Sequence, residues 1–83
     1  MIMQVNKISI EIPKSFKGLV VGNVSEDIQN IFSGEVVTLE PVAVAMYDAI
    51  KGAEILEDYS LMRTGLTWFR KHYPSEFMAL LFY

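Results

Sequence analysis

The stretch that decides the fold runs from Thr38 to Tyr73 and reads TLEPVAVAMYDAIKGAEILEDYSLMRTGLTWFRKHY. Leu39, Val42, Met46, Ile50, Ala53 and Leu56 recur in it at three- and four-residue steps, the period of a helix with one apolar face. Val44 and Tyr47 widen that stripe, so the first half of the helix is expected to be buried most of the way round. Thr38 is the N-cap candidate and Pro41 is tolerated in the first turn, which predicts a helix over about 39–57. Gly52 inside it costs about 1 kcal/mol against alanine and points to close packing of a neighbouring element. Asp58-Tyr59-Ser60 is a short connection rich in capping residues. A second helix follows over about 61–73, with Met62, Leu66, Phe69 and Tyr73 on one stripe and Leu61, Gly65, Trp68 and His72 on the next. So short a link makes the two helices antiparallel neighbours.

Downstream, Pro74 breaks the second helix, and Ser75 and Glu76 can start a last short one over 75–81. The end, Phe77 to Tyr83, is apolar throughout, and such a tail is expected to dock in its own core or on a neighbouring subunit. Upstream, Ser25 reads as an N-cap with Glu26 and Asp27 in the first turn. Ile28, Ile31 and Phe32 then share one face of a short helix over 25–32, which Ser33-Gly34 ends. Further back, Ile8, Ile10 and Ile12 alternate with Ser9 and Glu11 as in a half-buried strand, and Pro13 stops it. Leu19, Val20 and Val21 read as its hairpin partner. The expected fold is therefore α+β, one domain over 1–83: an N-terminal β-hairpin packed on an antiparallel helix pair plus short helices. Its expected core is Ile10, Ile12, Ile31, Val42, Met46, Ile50, Leu66 and Phe69.

Composition narrows the function. Of 83 residues 52% are hydrophobic, more apolar material than so small an interior readily hides. An exposed apolar surface implies a partner, and a homo-oligomer, first of all a dimer, is expected. The net charge of −3 carries no electrostatic footprint for nucleic acid. With no cysteine there is no disulfide framework, cysteine nucleophile or zinc finger. The start, MIMQVNK, does not read as a secretory signal. The most apolar stretches, 42–47 and 77–83, fall far short of the roughly 20 residues that span a bilayer. A cytoplasmic protein that binds neither membrane nor nucleic acid is expected.

No arrangement of side chains spells out a reaction, and no cofactor or metal is expected. His72 is the only histidine, and beside Arg70 and Lys71 it reads as a helix-end cation rather than a general base. Glu54, Glu57 and Asp58 are an acidic cluster without calcium-loop spacing and read as a solvated helix end. The serines, among them Ser15, Ser33 and Ser60, sit in turns or at caps and not in a nucleophile elbow. Gly18 and Gly22 lack the phosphate-loop pattern. Trp68, Arg70 and Tyr73 are typical interface residues, and with Phe82 and Tyr83 they are the candidates for a partner surface, although core packing explains Trp68 and Phe69 most cheaply. Lys51, Arg63 and Arg70 are the candidate anion contacts.

SGEVVTLEPVAVAMYDAIKGAEIL followed by LMRTGLTWFRKHYPSEFMALL resembles small proteins of unknown function from tailed bacteriophages. In those, a helix with a Tyr-Asp step and a following glycine precedes a Gly-Leu-x-Trp-Phe-Arg helix and a Met-x-Leu-Leu tail. Tyr47, Asp48, Gly52, Gly65, Leu66, Trp68, Phe69, Arg70, Met78, Leu80 and Leu81 carry the resemblance over about 33–81. Here the tail ends in Phe82-Tyr83, where that family tends to an acidic residue. The resemblance implies a phage origin and nothing about chemistry. With size and composition it leads to the expectation of a non-enzymatic protein that binds a bacterial host protein, in host takeover or as an anti-defence inhibitor, in the cytoplasm of the infected cell. The alternatives are an oligomeric sponge for a nucleotide-like small molecule and a virion accessory protein.

Overall fold

The computed structural model describes residues 11–16 and 18–82. Two antiparallel strands, β1 (Glu26–Gln29) and β2 (Val36–Leu39), precede three helices, α1 (Pro41–Ile55), α2 (Tyr59–His72) and α3 (Pro74–Leu80). The α+β class and the hairpin ahead of a packed helix set stand as expected. The hairpin's position does not.

Ile8 and Ile10 lie outside the described residues. Ile12 is irregular and half-buried, and Leu19–Val21 form no strand. The hairpin is built instead from the segment read as a helix over 25–32 and from the run that follows it. Asn30 decides this locally. Its Oδ1 accepts from the backbone N–H of Phe32 at 2.8 Å and of Ser33 at 3.2 Å, the side-chain mimicry of a backbone turn that asparagine provides. The N–H of Gly34 donates to the Asn30 carbonyl at 2.7 Å, and Gly34 takes a φ of +81°, a conformation glycine adopts without strain. The chain therefore reverses where a continuous helix would have run on. Gly34 is a turn residue and not a helix terminator. Val36 and Val37, stiff at χ1 and suited to a pleated surface, then pair back on β1. Ile28 faces Val37 across the sheet on its inner side, and Leu39 at the end of β2 is fully buried. On the outer side the Thr38 hydroxyl donates to Asp27 Oδ1 at 2.6 Å, so Thr38 is a strand residue rather than a cap. The N-cap of α1 is Glu40, with Pro41 as the first helical residue, where its fixed φ and missing N–H cost nothing.

Along α1, Ala43, Met46, Ile50 and Ala53 form the buried seam, joined by Val44. The helix ends in a Schellman motif: Asp58 N–H donates to the Ala53 carbonyl and Glu57 N–H to the Glu54 carbonyl. Glu57 occupies the left-handed position at φ 59°, where glycine is usual. Asp58 then caps α2, its side chain accepting from Leu61 N–H. This three-residue link, with α1 packed on α2, makes an αα-hairpin.

Both stripes of α2 are covered. Phe69 is fully buried, and Trp68 and Tyr73 are buried beside it. The Trp68 and Phe69 rings meet edge-to-face at 5.9 Å, a favoured aromatic geometry. The second wall that makes this possible is the irregular segment 11–16. The Trp68 indole Nε1–H donates to the Glu11 carbonyl at 2.8 Å, and Phe16 is buried over Gly65. The close approach between α1 and α2 falls at Gly65, where a Cβ would sit 2.5 Å from Ile50 Cγ1 and 3.1 Å from Phe16 Cζ. Gly52, expected to play that part, has no atom within 4 Å of such a Cβ. Pro74 starts α3, which turns Phe77 and Leu80 inward, followed by Leu81. Of the expected core, Met46, Ile50 and Phe69 are buried, Ile12, Val42 and Leu66 are half-buried, and Ile31 is exposed. Ile31 left the core because it belongs to the turn and not to a helix.

Candidate functional site

The hairpin turn presents Ile31 and Phe32 to solvent, 82% and 83% exposed. They are not on a loose loop. Besides the turn bonds of Asn30, its Nδ2 donates to the Ala79 carbonyl of α3 at 2.8 Å, which ties the tip to the C-terminal helix. Met78, just before Ala79, and Phe82, three residues after it, are both more than half exposed, and the Phe82 ring lies 6.3 Å from that of Phe77. A groove of about 140 Å³ runs between the tip and the helices, lined by Ile31, Phe32, Tyr47, Lys51 and Leu80. Tyr47, Lys51 and Ile55 follow at four-residue steps along α1 and so share a face. Ile55 is 80% exposed, which continues the apolar surface past the groove.

A second concavity, about 440 Å³, lies between the segment Glu11–Ile12–Pro13 and the outer face of α2, where Arg63, Thr67 and Lys71 are among its lining residues. It is bordered by two cations, Arg63 and Lys71, where the first has Lys51, which pairs with Glu54.

The side chains expected at a partner surface are divided by the structure. Trp68 and Tyr73 are buried in the chain's own core, because segment 11–16 covers the one and Glu40 engages the other, so neither is available as a surface anchor. The Tyr73 hydroxyl donates to Glu40 Oε1 at 2.9 Å. Burial raises its pKa, and the Glu40 carboxylate, as hydrogen-bond partner and as charge, and the Glu76 carboxylate raise it further. Arg70 and Phe82 are exposed, and Tyr83 lies outside the described residues. The candidate anion contacts do not converge. Lys51 borders the hairpin groove, pairing with Glu54 at 3.3 Å and standing 5.8 Å from the Tyr47 ring centroid. Arg63 borders the α2 cleft, and Arg70 borders neither concavity.

Comparison of the chain with protein-family models, with curated proteins and with solved structures finds no match. Among the described residues no three His, Asp or Glu side chains gather as a metal site, and no helix is long and apolar enough to cross a membrane. His72 is half-buried with its ring 5.1 Å from Trp68, a packing contact. Asp58 caps a helix and Glu54 pairs with Lys51, so two of the three clustered acids serve local structure.

The surface residues missed in the sequence are Ile31 and Phe32. Their signal was the frame around them, an asparagine before and Ser-Gly after, which is turn chemistry. The helical spacing of Ile28, Ile31 and Phe32 overrode it.

Proposed function

We propose that this chain is a non-enzymatic interaction protein that binds other proteins through the hairpin tip. The observation that carries this is the fixed display of Ile31 and Phe32. Two large apolar side chains stand in water on a turn held by Asn30 to its own backbone and to α3. A surface pre-organised in this way loses little entropy when a partner covers it, and aromatic side chains are enriched in interfaces. The first partner is a second copy of the chain, because two-fold dimers, in which the same patch meets itself, are the commonest assembly. The second is a bacterial host protein, and what supports that class is the resemblance of residues 33–81 to small tailed-phage proteins.

The test is retention of a host protein by the immobilised full chain and by Ile31→Ser/Phe32→Ser. Both changed residues are exposed, so the fold is expected to survive the substitution. One protein held in stoichiometric amount by the original chain, rebinding it after purification and lost with the double variant, is the expected result. An identical retained set for both chains would remove the tip from the interaction.

A further inference from the structure

We infer that the cleft between residues 11–13 and α2 is a binding site for an organic phosphomonoester, a small dianion carrying an apolar or ring body. The inference begins with charge. The chain has ten acidic and seven basic residues, yet α2, Tyr59–His72, has Arg63, Arg70 and Lys71 and no Asp or Glu. All ten acids lie among the described residues, and none forms an ion pair with Arg63 or Lys71. A cationic helix on an acidic protein, with its charges left unpaired, is a local reversal of the overall field.

The cleft makes that charge local. Arg63, Thr67 and Lys71 follow at four-residue steps and so line one face of α2. All three border the cavity. Arg63 and Lys71 are about 12 Å apart along the axis, and their long side chains can close from both ends on a group seated over Thr67. The Thr64 hydroxyl is engaged by the Ser60 carbonyl at 3.1 Å, whereas no described residue engages that of Thr67. A guanidinium fork, an ammonium and a hydroxyl suit a phosphate, which takes charge from both cations and offers several acceptor oxygens. Ile12, Pro13 and Trp68 give the cleft an apolar wall, and its size, about 440 Å³, falls within the range of small-molecule sites. Glu11 also borders it and sets a negative charge opposite, which disfavours a polyanion and suits a ligand with its charge at one end. Arg70 is exposed and outside the cleft, which makes it the control.

The experiment is a titration of the full chain, followed by backbone amide shifts, with adenosine monophosphate, adenosine and inorganic phosphate as probes. Saturable shifts at Thr67, Trp68 and Lys71 are expected with the monophosphate, and binding of adenosine is expected to be weaker by about tenfold or more. Arg63→Gln and Lys71→Gln should each weaken the monophosphate by about tenfold, with Arg70→Gln within about twofold of the original chain. The site is overturned by absence of saturation at about 5 mM, by equal weakening in all three variants, or by shifts centred on Tyr47 and Lys51. Inorganic phosphate binding as tightly as the monophosphate would overturn the organic body.

Discussion

Gly52 and Gly65 sit in neighbouring helices and have opposite reasons to be there. Gly65 leaves room for Ile50 and Phe16. A methyl group there must displace the Cγ1 methylene of Ile50, and overpacking of this kind costs about 1–3 kcal/mol. Gly52 faces open space, so alanine there should gain up to about 1 kcal/mol of helix propensity. Thermal melts should therefore rise for Gly52→Ala and fall for Gly65→Ala; a fall for both would mean that α1 is crowded at Gly52 as well. Tyr73 yields a second prediction. With its pKa raised above the ordinary 10.0, the folded chain keeps the phenolic proton at a pH where the unfolded chain releases it. Its contribution is thus complete below about pH 10 and is lost as pH rises above that. Tyr73→Phe should lower stability by about 1 kcal/mol near neutrality, and the gap to the original chain should narrow between about pH 10 and 11. A constant gap across that window would remove the Glu40 bond from the alkaline loss. At this scale the sequence was legible where side chains repeat: Met46, Ile50 and Phe69 were read as core from spacing alone. It was not legible at Gly52 and Gly65, because which glycine meets a neighbour depends on how two helices cross.

The helices were readable as elements because α1 and α2 carry a long apolar period and all three carry local punctuation: Pro41, Asp58 and Pro74. The hairpin was not, because a four-residue strand offers too few positions to establish a period of two. Ile28, Ile31 and Phe32 happen to fit a period of 3.6, and Ser25-Glu26-Asp27 mimic a helix start. What won was Asn30 with Gly34, which reverse the chain whatever the spacing suggests. Asn30 therefore has a measurable double role. Asn30→Asp keeps the acceptor for Phe32 and Ser33 and loses the donor to Ala79; Asn30→Ala loses both. Hydrogen exchange should show α3 amides losing protection in both variants and turn amides losing it mainly in the alanine variant, each lost bond being worth about 1 kcal/mol. Equal loss in the turn for both would show that the side-chain oxygen does not set the reversal. Both candidate surfaces depend on elements of this kind, irregular segments pinned by one polar side chain. That is why Trp68 and Tyr73, interface candidates by residue type, are core, as packing already explained Trp68 most cheaply, while Ile31 and Phe32 are exposed.

For the whole molecule, an apolar excess in 83 residues pointed to a partner, and exposed apolar side chains emerge at the hairpin tip with Met78 and Phe82, at Ile55 and Leu56 at the end of α1, and at Val20 and Val24 ahead of β1. The cationic cleft and the hairpin groove share no lining residue, so the two proposed sites can be tested by separate mutations. The most direct measurement is light scattering of the full chain at micromolar concentration, beside Ile31→Ser/Phe32→Ser. Twice the monomer mass for the original chain, falling to the monomer mass on substitution, is the predicted result. A monomer that is unchanged with concentration, or a dimer indifferent to the substitution, would contradict the hairpin tip as the surface through which this chain meets its partners.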